Sequence, residues 1–210
     1  MIKVFFLIFE PALAWAKIAQ ARRGYTYIFT TYLLPFLLVI SAIEGFGLAH
    51  WGKWQPKFQI TKHFTLHEVL VFEAIEFALM LLVVLICSLL ILRVSQTFHQ
   101  RTKYLEAFTL TAYAFAPIFL LHFLDAASGI NPWVPWIVGV ALTIWILYQG
   151  IPRILEPDPT HAFGLYLSSM FVIALASGMA RFITAMYLLG YMDFHQNSWL
   201  TRTLSHLFAH

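Results

Sequence analysis

The sequence predicts an all-α fold: a polytopic bundle of five transmembrane helices with N-terminal interfacial helices. Three observations carry this. The 210 residues are 60% hydrophobic and only 11% charged, with a mean hydropathy of +0.76, too little charge for a soluble domain or a disordered chain. Apolar stretches near the roughly twenty residues needed to cross a bilayer recur along the chain. Proline, glycine and basic residues sit between those stretches, as loop and topology signals do.

The start, Ile2–Phe9, resembles a signal peptide only superficially. Glu10 and Pro11 interrupt it, Trp15, Lys17, Arg22 and Arg23 follow, and there is no convincing cleavage region. Ile2–Phe9 and Ala12–Ala21 read instead as short helices on the membrane surface, with Trp15 and Lys17 as interface anchors. Residues 1–24 form this segment, 25–190 the transmembrane domain and 191–210 a polar tail.

The first span is expected at about Tyr27–Leu48, with Pro35 and Glu44 inside it. The second runs from about Val69 to Leu92. Thr65 and Glu68 form a T-x-x-E capping box just before it, so its helix should begin near Thr65. The third, Ala107–Leu124, contains Pro117. The fourth, Trp133–Ile151, is entered through Ser128-Gly129-Ile130-Asn131-Pro132 and left at Pro152. The fifth, Phe163–Leu189, contains Arg181, and its small residues Ala174, Ala176, Ser177, Gly178 and Ala180 suit close helix packing. Pro35 and Pro117 should kink their helices. In the tail, Trp199, Leu200, Leu204, Leu207 and Phe208 have the spacing of a short surface helix.

Lysine and arginine counts orient the bundle. Lys3, Lys17, Arg22, Arg23, Arg93, Arg101, Lys103 and Arg153 fall on one side; Lys53, Lys57, Lys62 and Arg202 fall on the other. The positive-inside rule places the N-terminus in the cytoplasm and the C-terminus outside. This scatter of basic residues at loop ends also explains a sequence pI of 9.0 without a nucleic-acid partner. The loop Arg93–Lys103, which includes His99, reads first as a topology signal, with contact to anionic lipid head groups as the second reading.

Charges within the spans are the main functional clue. Orientation puts Glu44, Glu73, Glu76, His122, Asp125 and Arg181 at comparable depth, from the mid-outer leaflet to the outer interface. Glu73 and Glu76 are three apart and share one helix face with Val69 and Met80, at about 5–6 Å between neighbouring Cβ atoms. An intramembrane carboxylate costs roughly 2.5–3.5 kcal/mol at a helix centre and usually has a partner. In one reading Glu73 or Glu76 pairs with Arg181 and fixes the bundle. In the other, Glu44, Glu73 and Glu76 gather around a cation or proton, with His122 near the mouth; three acids exceed one arginine.

Histidines are a second constellation. His50, His63, His67, His195, His206 and His210 all fall on the outer side. The four-residue spacings of His63/His67 and His206/His210 are weak metal candidates, because His63 precedes the helix and His210 ends the chain. The lone Cys87 permits no intramolecular disulfide and no C-x-x-C site. No G-x-S-x-G, phosphate loop or dinucleotide fingerprint occurs, and His67-Glu68 lacks the second histidine of a zincin helix. The expectation is a non-enzymatic protein without a cofactor.

Several segments together resemble the Yip1 family in its bacterial form. Phe9-Glu10-Pro11-Ala12-Leu13-Ala14-Trp15-Ala16-Lys17-Ile18 is similar to its P-x-x-A/T-W-x-x-I opening. Ala112-Tyr113-Ala114-Phe115-Ala116-Pro117 is similar to its G/A-Y-x-x-x-P element. Tyr148-Gln149-Gly150-Ile151-Pro152 followed by Pro159-Thr160-His161-Ala162 resembles its junction before the last span. The resemblance covers about Phe5–Leu189. It implies five helices, a cytoplasmic N-terminus and an external or lumenal C-terminus. Eukaryotic members engage small GTPases through a longer N-terminal region; this sequence has neither that region nor the D-L-Y-G-P motif, so that partner is not carried over. The expectation is an accessory or membrane-organising subunit of the bacterial inner membrane, contacting lipid, other membrane proteins or further copies of itself. The alternative is a small cation or proton transporter, or a metal-handling protein, built on the glutamates.

Overall fold

The computed structural model describes residues 2–98 and 101–192, with side chains from residue 6 onward. Five helical stretches are long and apolar enough to cross a membrane: Tyr25–His50, Leu66–Thr97, Tyr104–Ala126, Trp133–Ile154 and Ala162–Leu188. They coincide with the five expected spans and extend most of them by a few residues. Spans one, three and five begin at the face that carries Arg22, Arg23, Arg101, Lys103 and Arg153, called here the arginine face. The opposite end is the hairpin face. The third span is the central one, with 72% of its apolar window buried; the fifth is the most peripheral, at 22%.

Local chemistry explains the helix boundaries. In α5 (Leu66–Thr97) the Thr65 side chain accepts from the Glu68 amide, and Glu68 Oε2 accepts from the Thr65 amide at 2.8 Å, completing the expected capping box. At 32 residues, α5 is about 48 Å long, well beyond a hydrocarbon core of about 30 Å. Both interior prolines mark irregularities. In the first span α3 (Tyr25–Ile28) passes into a π-helical turn, Phe29–Leu33, before α4 (Leu34–His50). The Leu34 amide reaches back five residues to Phe29 O, one residue before Pro35, which has no amide hydrogen to offer. In the third span α6 (Tyr104–Ala114) breaks at Phe115. Then α7 (Ala116–Leu121) restarts with Pro117 in its first turn, and a 3-10 turn, His122–Ala126, ends the span.

Two features differ from expectation. The loop between spans one and two forms a small antiparallel hairpin, β1 (Lys53–Gln55) with β2 (Ile60–Lys62), Lys53 opposite Lys62. Gly52 enters it at φ +69°, where a Cβ would meet Lys62 O at 2.5 Å. The second difference concerns Trp15. Rather than anchoring α2 (Pro11–Ala21) at the interface, it is fully buried. Its Nε1–H donates to Ile146 O at 3.0 Å, and its ring meets Tyr113 edge-on. Gly150 makes room: a Cβ there would lie 2.6 Å from the indole. Thus α2 docks on α8 (Trp133–Ile154) and joins the main core, with Leu7 of α1 (Ile2–Phe9) beside it. Of the two expected anchors, Lys17 lies over the Phe6 ring at 5.6 Å.

The small residues of α9 (Ala162–Leu188) do pack. Ser177 is buried, and its hydroxyl accepts from Trp136 Nε1 at 3.3 Å. A Cβ on Gly178 would touch the Trp136 ring at 3.1 Å.

Candidate functional site

The close approach of α4 to the 3-10 turn creates the site. A Cβ on Gly47 would lie 2.3 Å from the Ala126 Cβ, so only glycine lets this backbone lie against the turn. That contact sets Glu44, one turn earlier on α4, beside His122 and Asp125. Glu76 comes from α5, Arg181 from α9 and Lys53 from β1. Glu44, Glu76, His122, Asp125, Lys53 and Arg181 are all buried.

Arg181 is the hub. Nη2 donates to Asp125 Oδ2 at 2.6 Å. Nε donates to Pro132 O at 3.0 Å, and Nη2 bonds the same carbonyl. Nη1 lies 3.7 Å from Glu76 Oε1. His122 Nδ1 is 3.0 Å from Glu76 Oε1 and 3.9 Å from Asp125 Oδ2. Nδ1 also lies 3.4 Å from Arg181 Nη1, but a guanidinium only donates. The two contacts call for different tautomers: a bare Nδ1 accepts from Arg181, whereas a protonated Nδ1 faces Glu76. Lys53 Nζ donates to Asp125 O at 2.8 Å and Ala127 O at 3.0 Å, and sits 3.7 Å from Asp125 Oδ1. Burial pushes the Lys53 ammonium below its ordinary pKa, while Asp125 opposes that shift.

The expected residues therefore converge, with one addition and one rearrangement. Arg181 takes Asp125 as its first partner and Glu76 as its second, rather than Glu73. Glu73 stands at the edge, turned toward α4, where a Cβ on Gly45 would be 3.3 Å from its Oε1. Lys53 was counted as an outer-loop topology charge and is instead a core residue; its setting between Trp51 and Trp54 was the one signal available. The charge count becomes four acids (Glu44, Glu73, Glu76, Asp125) against two permanent cations and one histidine. Glu44 Oε1 and Asp125 Oδ1 have no hydrogen-bond partner among the described residues, and Glu73 has only the Ser41 hydroxyl of α4 beside it, outside good hydrogen-bond geometry. Glu76 is reached at ion-pair distance by His122 and Arg181, but without hydrogen-bond geometry. A low-dielectric interior does not hold two uncompensated negative charges, so the surplus implies bound protons or a bound cation.

One group of ligand type stands out among the described residues. One atom each from Glu44, Glu76 and His122 lie within 4.8 Å of one another. Two carboxylates and an imidazole suit a divalent metal in kind, but the Arg181 guanidinium beside Glu76 opposes one. The adjacent cavity, lined by Glu76, Phe119, His122, Trp136, Ser177 and Arg181, measures about 20 Å³, room for a single water. His63 follows β2 and His67 lies in the first turn of α5; neither joins a ligand group of this kind. His195, His206 and His210, with the tail helix, lie outside the described residues, as does His99.

No curated protein and no solved structure matches this chain. A family model does: the Yip1 domain aligns with residues 5–196, across the docked α2, all five spans and the whole ionic cluster. The chain is a multi-pass membrane protein that belongs to the Yip1 family.

Proposed function

We propose that this protein is a non-enzymatic accessory or membrane-organising subunit, with the ionic cluster serving as an internal clasp and the outer helix faces serving as contact surfaces. The observation that carries this reading is the division of polar and apolar surface. The charged groups are buried beside a cavity with room for one water, whereas α9 presents Phe163, Leu167, Phe171, Leu175, Met179 and Phe182 outward. These residues recur at helical spacing along one face of the least buried span. Such a ridge suits lipid, a partner helix or a second copy of the chain. The expected setting is a bacterial inner membrane with the N-terminus in the cytoplasm and the C-terminus outside. Enclosure of Lys53 removes one exposed cation from the hairpin face, which supports that orientation.

A photo-reactive residue at Phe171 or Met179 tests the contact surface in cells. A discrete protein adduct at either position supports the reading. Lipid adducts alone, with a monomer after mild detergent extraction, would remove the subunit role.

The convergence of Glu44, Glu76 and His122 favours one second reading, a cation or proton site. Its test is cation uptake and proton flux in proteoliposomes. Transport above empty vesicles that disappears in Glu44→Gln and Glu76→Gln would establish it; no such transport would dismiss it.

A further inference from the structure

The arginine face holds a second polar feature that the ionic cluster does not explain. A cavity of about 610 Å³ opens there, lined by Arg22 and Arg23 at the end of α2, Arg101 and Lys103 before α6, and Arg153 in the last turn of α8. Three chain segments far apart in sequence thus bring five cations to one opening, against two acids, Glu106 and Glu156. Glu106 is already committed, since its Oε2 accepts from the Lys103 amide at 2.8 Å. Arg153 is fixed in place by Gln149, whose backbone and side-chain oxygens accept from Nη1 at 2.7 and 3.0 Å. Span one begins at Tyr25, span three at Tyr104, and span four ends at Ile154; the cavity therefore lies at the level where a bilayer's head groups would be.

A second cavity of about 410 Å³ adjoins it. Its lining is mainly apolar, with Phe6, Leu13, Ala14 and Tyr113, and it shares Ile18 and Arg23 with the basic cavity. Both volumes fall in the range of about 300–1,000 Å³ typical of ligand pockets. A basic chamber beside an apolar one, with Ile18 and Arg23 lining both, matches one amphipathic molecule, negative at one end and hydrocarbon at the other.

We infer that these adjoining cavities bind an anionic phospholipid, its phosphate head group among Arg22, Arg101, Lys103 and Arg153 and an acyl chain beside Phe6, Leu13 and Tyr113. Basic pockets between transmembrane helices recognise anionic head groups by this complementarity. The inference deepens the lipid-contact part of the reading above, yet fails separately from it: photocrosslinking on α9 reads a different face.

Native mass spectrometry of the full-length, delipidated protein tests it. Titration with phosphatidylglycerol should give one saturable adduct, at least tenfold tighter than with phosphatidylcholine of equal chain length. Millimolar inorganic phosphate should not displace it, because phosphate lacks the hydrocarbon half. Arg22 and Arg101 are exposed, so R22A/R101A should leave the melting temperature unchanged. It should weaken phosphatidylglycerol binding by roughly thirtyfold, about fivefold per lost cation, without altering phosphatidylcholine binding. Ala21 also lines the apolar chamber, and filling that chamber with Ala21→Trp should weaken the long-chain lipid while leaving a short-chain analogue unaffected. Equal binding of the two head groups, displacement by free phosphate, or R22A/R101A binding phosphatidylglycerol as well as the wild type would each overturn the assignment.

Discussion

The two ends of the bundle are held together by different forces. Toward the arginine face the helices meet through aromatic and aliphatic packing: Trp15 against Tyr113 and Gly150, Tyr32 against Tyr113 with ring centroids 4.2 Å apart, and Phe108, Cys87 and Leu110 fully buried beside them. At the hairpin face the apolar cluster is small, comprising Leu48, Phe64, Val69, Phe72, Tyr187 and Leu188. There Arg181, Asp125, Glu76, His122 and Lys53 join four elements instead. In lipid, apolar side chains gain little by leaving one hydrocarbon setting for another, so helices associate through close fit and polar contacts. One end of this protein uses the first means and the other end uses the second.

That contrast orders the expected effects of substitution, measured by thermal or SDS-induced unfolding of the purified protein. Arg181→Met should be the most damaging, at about 3–5 kcal/mol, because it strands Asp125 and Glu76 without their main cation. Lys53→Met should cost about 2–3 kcal/mol, through two lost charged hydrogen bonds to carbonyls. At the other end, Trp15→Phe should cost about 1 kcal/mol, the worth of its bond to Ile146 O, and should loosen α2 before the spans. That order of events is readable by hydrogen exchange. Glu44→Gln should change stability by less than about 1 kcal/mol in either direction, because the acid surplus leaves this carboxyl without a dedicated cation. A large loss there would mean that Glu44 is an ionised, paired member of the clasp.

The spans were legible because a bilayer demands long apolar runs, and the Thr65 box and Pro117 because each acts locally on the backbone. Glu44, Glu76, His122 and Arg181 were legible as a set because topology alone fixes their depth. What escaped were effects set by tertiary placement. Trp15 at a helix near a membrane surface has the same local sequence whether it faces head groups or docks on Gly150. The three-residue strands of the hairpin are too short for periodicity, so Lys53 read as a loop charge. Asp125 was visible at the right depth, but its role as first partner of Arg181 depends on the 3-10 turn that ends the third span.

The central claim is that charge pairing, rather than apolar fit, closes the hairpin face. A double-mutant cycle on Arg181→Met and Asp125→Asn tests it most directly. If the claim holds, the double variant recovers much of the loss of the Arg181→Met single variant, with a coupling energy of about 2–3 kcal/mol. Additive losses within about 0.5 kcal/mol would contradict it and leave the bundle held by apolar contacts at both ends.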